Sequence, residues 1–165
     1  MNLKIKKEIL MKHLNYVIKG VSTKNLRPIL ACIKFDLTNE GLYLLSSDND
    51  IAIKTFISKE NIENDYKCGK IVVSGKYIYE IIKKLENEII NIEEVLDNKL
   101  FISTTNSSFT LNCNNVDEFP NIELEEVKNP IIIDNKILKN IVNQISFATS
   151  NQESRPVLTD RKSVV

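Results

Sequence analysis

Residues 3–30 of this 165-residue chain recur without a gap as residues 131–158. The offset is constant at 128, and eight aligned pairs are identical: Ile5/Ile133, Ile9/Ile137, Leu10/Leu138, Asn15/Asn143, Ser22/Ser150, Arg27/Arg155, Pro28/Pro156 and Leu30/Leu158. A long internal period marks duplicated structural units, and the fold has to contain both copies. The second copy stops soon after it starts. The chain therefore reads as one complete domain followed by the opening of another. Residues 114–129, NNVDEFPNIELEEVKN, are polar, acidic and interrupted by Pro120. They supply the connection, placed at 123–129, between a first domain at 1–122 and a truncated second copy from residue 130.

Within the first unit the apolar periodicity alternates between two types. Asn2–Lys6 alternates as a strand, and residues 8–20 carry a helical stripe of Ile9, Leu10, His13, Leu14 and Val17. Strand signals follow at Ile29–Leu37, Leu42–Ser46, Ile51–Ile57 and Lys70–Val73. Ser74 is placed to cap a second helix through about Leu85, with Tyr77, Ile78, Ile81, Ile82 and Leu85 as its stripe. Strands at Ile89–Val95, Leu100–Thr104 and Ser108–Cys113 complete the unit, and Ile131–Ile133 with 136–148 restart the strand–helix pattern. The order β-α-β-β-β-β-α-β-β-β is nearly a duplication in itself. It predicts an α+β fold with two amphipathic helices packed on antiparallel sheets. The apolar positions of 137–145 are expected to lack most of their partner sheet.

Net charge is zero, but its distribution is uneven. Lys4, Lys6, Lys7, Lys12, Lys19, Lys24 and Arg27 are opposed in residues 1–30 by Glu8 alone, whereas 86–97 and 117–126 are purely acidic. Lys12 and Lys19 lie opposite the first stripe and Lys76 and Lys83 opposite the second, which suits contact with phosphates without reading of bases. Solvated faces account for the same charges equally well. His13 is the only histidine and sits on an apolar stripe, so no Ser-His-Asp or Cys-His constellation has a base. With four glycines and neither GxGxxG nor GxxxxGK[ST], no nucleotide cofactor is expected. Asp48-Asn49-Asp50 could hold a metal, but its place between two strands favours an Asx-rich turn, and no metal site is assigned. Cys32, Cys68 and Cys113 are widely spaced and read as buried free thiols of a reducing compartment. No apolar run approaches the ~20 residues of a membrane span. The residues alone thus describe a non-catalytic, cytoplasmic binding domain with a basic helical face.

Several segments together resemble the bacterial DNA polymerase III beta-subunit family of replicative sliding clamps. They are the opening strand and helix followed by Pro28-Ile29-Leu30, Ser46-Ser47-Asp48 leading into Ile51-Ala52-Ile53, and Phe109-Thr110-Leu111 before Phe119-Pro120. Ser154-Arg155-Pro156-Val157-Leu158-Thr159 closes the match, which covers residues 1–159. The resemblance explains the repeat, since such subunits are built from three similar domains. It implies a head-to-tail ring around duplex DNA with a second clamp subunit, and docking of the clamp loader and replicative polymerase through domains beyond this chain. It implies no active site.

Carried over by resemblance, Lys24 and Gln152 fall at DNA-proximal loop positions. Lys12 and Lys19 join them as candidate DNA contacts from the basic helix face, and Arg27 from the basic N-terminal segment, although it stands where the family more often has a small or apolar residue. Lys76 falls near the subunit interface with Asn106 and Ser108, which are expected on the interface strand where some relatives carry arginines. Arg155 and Leu158 match the edge of a peptide-binding pocket. Residues 160–165, Asp-Arg-Lys-Ser-Val-Val, depart from the family and match one reading frame of a common sequencing adapter, so a non-native tail is expected there. The competing reading is a replication accessory protein that binds DNA through basic helices without encircling it.

Overall fold

The computed structural model describes residues 1–22, 27–63, 65–86, 89–96, 98–122 and 131–149. The chain forms two units, Met1–Ile122 and Glu123–Val165, taken separately below. The first contains β1 (Asn2–Lys6), α1 (Lys7–Val17), β2 (Cys32–Leu37), β3 (Gly41–Ser47), β4 (Ala52–Ser58), β5 (Gly69–Ser74), α2 (Gly75–Lys84), β6 (Ile89–Val95), β7 (Lys99–Ser103) and β8 (Ser108–Asn114). This is the expected order of elements. Short 3-10 turns at Ile18–Gly20 and Pro28–Ala31 replace the expected end of the first helix and start of the second strand. Pro28 fixes its own φ and offers no N–H to a ladder, so the chain coils before it extends.

The strands form one antiparallel sheet in the order β1-β6-β7-β8-β5-β2-β3-β4. The two meanders exchange a strand. β1 leaves its own half to pair with β6 in the register Leu3↔Ile92 and Ile5↔Ile90, while β5 pairs with β2 in the register Ile33↔Val73 and Phe35↔Ile71. Alternation sends Leu3, Ile5, Phe35, Ile71, Val73, Ile90 and Ile92 to one face, where they meet Leu10 and Leu14 of α1 and Ile78 and Ile82 of α2 in a single core. On the other face Phe119 packs against Cys32 and Val72, so the start of the acidic segment is anchored to the sheet.

The Ser46-Ser47-Asp48 stretch turns out to be structural. The Ser46 hydroxyl, fully buried, donates to the C=O of Val17, the last residue of α1, at 2.5 Å and ties β3 to the end of that helix. The Ser47 hydroxyl accepts from Asn49 N–H, and Asp48 Oδ1 accepts from the N–H groups of Asp50 and Ile51 at 3.1 and 2.7 Å. Asn49 takes a left-handed φ of 83°, which an Asx turn tolerates. At the β2–β3 hairpin, Gly41 has φ +150°, and a Cβ there would lie 2.1 Å from the Ile57 carbonyl oxygen, so only glycine fits.

Other expectations are corrected. Tyr77 is not part of the α2 stripe but is 61% exposed. Ser74 stands at the α2 N-cap without a side-chain capping bond. Cys68 is exposed, Cys113 half-buried and only Cys32 buried; all three are free thiols. Asn106 lies in the β7–β8 turn, not on a strand; Ser108 is the first residue of β8.

In the second unit α3 spans Asn135–Ser146. Its first residue is Lys7 plus the repeat offset of 128. Asp134 caps it by accepting from Lys136 and Ile137 N–H at 2.8 and 3.3 Å. Ile131–Ile133, expected as a strand, form none. A strand exists through its ladder, and the partner that β6 gives β1 has no counterpart among the described residues of this unit. Ile137, Leu138, Ile141, Val142 and Ile145 are between 40% and 56% exposed, as an unpartnered stripe requires. Residues 123–130 and 150–165, with most of the connection and the expected tail, lie outside the described residues.

Replacing Ser46 with Ala removes its bond to the Val17 carbonyl at a fully buried position. The expected loss is about 0.5–1.5 kcal/mol in urea unfolding of the chain.

Candidate nucleic-acid interface

Two helices on one face of the sheet position the basic side chains. α1 buries Leu10, Leu14 and Val17 and turns Glu8, Lys12, Asn15 and Tyr16 to solvent; Lys19 follows, exposed, in the adjoining 3-10 turn. α2 buries Gly75, Ile78 and Ile82 and exposes Lys76, Tyr77, Lys83 and Lys84. Gly75 lets the start of α2 approach its neighbours: a Cβ there would lie 2.9 Å from Val21 Cγ2 and 3.3 Å from the Ala31 carbonyl oxygen.

The helices run antiparallel and are tied at two points. Lys7 Nζ, at the start of α1, donates to the C=O of Leu85, just past the end of α2. Tyr79 Oη donates to Asn15 Oδ1 at 2.9 Å. Between these ties lies a groove of about 460 Å³ lined by Lys7, Glu8, Met11, Lys12, Asn15 and Lys83. Lys83 Nζ stands 5.7 Å over the Tyr79 ring. Among the described residues no carboxylate pairs with Lys12, Lys19, Lys76 or Lys83. Uncompensated ammonium groups on a rigid pair of helices suit a polyanion held by many weak contacts.

Arg27 is exposed and leads into the Pro28–Ala31 turn, its carbonyl accepting from Leu30 N–H at 3.1 Å. Ser22 N–H donates to the Leu30 carbonyl at 3.1 Å. Lys24, Gln152, Arg155 and Leu158 lie outside the described residues. The structure thus brings Lys12 and Lys83 to one groove and places Lys19 in the turn that packs against α2. Sequence reasoning missed Asn15 and Tyr16. The Asn15/Asn143 identity was the available signal for the first. Nothing in the pattern marked the second, a 48% exposed ring on a basic face.

Chemistry elsewhere is muted. His13 is half-buried edge-on to Tyr16, its Nδ1 has no hydrogen-bond partner, and burial followed by the neighbouring Lys12 charge lowers its pKa from 6.5. Burial, then Glu94, raises the Cys113 thiol to about 11, and burial raises Cys32. Among the described residues no cluster of His, Cys, Asp and Glu is placed to hold a metal, and no helix is long and apolar enough to cross a membrane.

Residues 1–123 match the family model for the DNA polymerase III beta subunit, N-terminal domain. The chain belongs to this family. It is 38% identical over 164 residues to the beta sliding clamp of Halalkalibacterium halodurans, an alignment covering 96% of this chain and 43% of that one. To the beta sliding clamp of Streptococcus pneumoniae serotype 4 it is 32% identical over 158 residues, covering 94% and 42%. The crystal structure of the DNA polymerase sliding clamp from Bacillus subtilis superposes with a TM-score of 0.86 at 34% identity, again covering 95% of this chain and 42% of that one. The chain therefore has the beta-subunit fold and spans about two fifths of the length of the relatives it matches.

Two outcomes follow from the titrating groups. Because folding depresses the His13 pKa, the unfolded chain takes up its proton first. The contribution of His13 is intact above pH 6.5 and is lost as pH falls through and below that value. Against His13→Gln, the unsubstituted chain should lose extra stability between pH 7 and 5 in parallel urea titrations. In thiol-labelling kinetics at neutral pH, Cys68 should react first and Cys32 and Cys113 slowly.

Proposed function

We propose that this chain supplies the DNA-facing first domain of a sliding clamp that encircles duplex DNA as a head-to-tail ring and tethers the replicative polymerase. The observation that carries the reading is the tied, antiparallel pair α1 and α2, which carries unpaired lysines outward from a chain of zero net charge. Such a face touches phosphates loosely, partly through water, and retains DNA by topology while allowing sliding. Lys12 and Lys19, with Lys24 and Arg27 of the neighbouring loop and Gln152 of the second unit, are the proposed DNA contacts. Lys76 near the start of α2 and Ser108 at the start of β8, with Asn106 in the turn before it, are the proposed contacts to a second clamp subunit. Arg155 and Leu158 are proposed for the edge of the peptide pocket through which the clamp loader and polymerase dock. The role is processivity in the cytoplasm, without catalysis.

Grafting residues 1–122 in place of the matched segment of the Bacillus subtilis clamp tests this. The chimera, loaded on nicked circular DNA, should stay bound and then be lost when the circle is linearised. Equal retention on both forms would contradict encirclement. Lys12→Glu with Lys19→Glu in this chain should weaken duplex binding in fluorescence anisotropy and flatten its salt dependence, by about 0.9 in log–log slope for each phosphate no longer neutralised.

A further inference from the structure

We propose that the sheet face turned away from α1 and α2 is a docking surface for an acidic amphipathic helix of a partner protein, one that carries a carboxylate on either side of an apolar anchor. Strand register sets two rows of side chains on this face, opposite the core face that Phe35, Leu42 and Leu44 occupy. Lys34↔Leu45 and Leu45↔Lys54 are cross-strand partners in β2, β3 and β4, and so are Asp36↔Tyr43 and Tyr43↔Phe56. One row therefore reads Lys34, Leu45, Lys54 and the next Asp36, Tyr43, Phe56. Leu45 is half-buried where it borders the cluster of Cys32, Val72 and Phe119, Lys54 is exposed, and Phe56 is 42% exposed.

The two lysines are positioned but not neutralised. Lys54 Nζ stands 4.6 Å over the Tyr43 ring and Lys34 Nζ 5.9 Å over the Phe119 ring. Among the described residues neither ammonium meets a carboxylate: Asp36 is taken by Lys70 at 3.3 Å, and Glu40 accepts from the Tyr43 hydroxyl at 3.2 Å. Aromatic faces restrict where the two ammonium groups sit while leaving their charge available. Two strand spacings, about 10 Å, separate the main chain at Lys34 from that at Lys54. A helix rises about the same distance in seven residues. Carboxylates at i and i+7 therefore reach Lys34 and Lys54, while apolar residues at i+3 and i+4 on the same helix face settle on Leu45, Tyr43 and Phe56. Single-stranded nucleic acid fits less well. The Tyr43 ring is already engaged by Phe56, with centroids 4.6 Å apart, and by Lys54, and the carboxylates of Asp36 and Glu40 repel a continuous phosphate chain. The surface lies across the sheet from Lys12 and Lys19, so the inference goes beyond the clamp reading and does not depend on it.

Fluorescence anisotropy of a labelled synthetic helix with Glu at i and i+7 and Leu at i+3 and i+4, titrated with the 165-residue chain, should show binding that added salt weakens. Lys34→Glu with Lys54→Glu should weaken it about tenfold, and a peptide with Lys in place of both Glu residues should recover binding to that variant. Phe56→Ala should weaken it several-fold, a readout that holds even if the charge-reversed variant folds poorly. Lys12→Glu with Lys19→Glu should leave it unchanged. No binding by the unsubstituted chain overturns the proposal. So does binding indifferent to the changes at Lys34, Lys54 and Phe56, or binding lost with the changes at Lys12 and Lys19. Tighter binding of single-stranded oligo-dT, lost in the Lys34 and Lys54 variant, assigns the surface to nucleic acid and overturns it as well. These outcomes leave the clamp reading standing, and failure of the chimera on circular DNA leaves the docking surface standing.

Discussion

The exchange of β1 and β5 between the two meanders is the constraint on which the first unit depends. Leu3 and Ile5 enter the common core with β1 laid against β6, and Ile71 and Val73 with β5 laid against β2. Neither half can shield its own apolar face. Each helix follows the strand its half gives away, so the exchange also delivers α1 and α2 to the same side of the sheet. The placement of the lysines is thus a consequence of strand pairing far from them.

Much of this was legible in the sequence because two-residue and 3.6-residue periodicities are carried by buried side chains. The α1 stripe of Leu10, Leu14 and Val17 and the alternation of Leu3 and Ile5 had to read as they do. Where packing does not decide, the sequence was silent. Tyr77 fits the helical stripe by spacing, yet a phenol ring tolerates either environment, and the close start of α2 at Gly75 leaves it outside. Ile131–Ile133 have the composition of a strand, but pairing is a property of two segments. That β5 meets β8 at only Val72↔Asn114 and Val73↔Cys113 was equally invisible, since it follows from β5 turning into α2 after Ser74.

The candidate interface divides the same way. Lys12, Lys19 and Lys76 could be placed on outer faces by counting residues along a helix. That Lys12 and Lys83 share a groove required knowing that the helices are antiparallel, which two hydrogen bonds fix and no local pattern encodes. The Asp48-Asn49-Asp50 segment shows the converse: an Asp48 carboxylate with the look of a metal ligand accepts from two main-chain donors of a turn.

The bond from Tyr79 to Asn15 has a mechanical consequence. With Lys7 gripping the far end at Leu85, it makes α1 and α2 a single stiff plank. The spacing of the helix positions that carry their lysines is then set by the protein itself. A fixed comb of charge facing a regular polymer gains no more at one position along it than at the next, so nothing in this surface would give it a reason to stop.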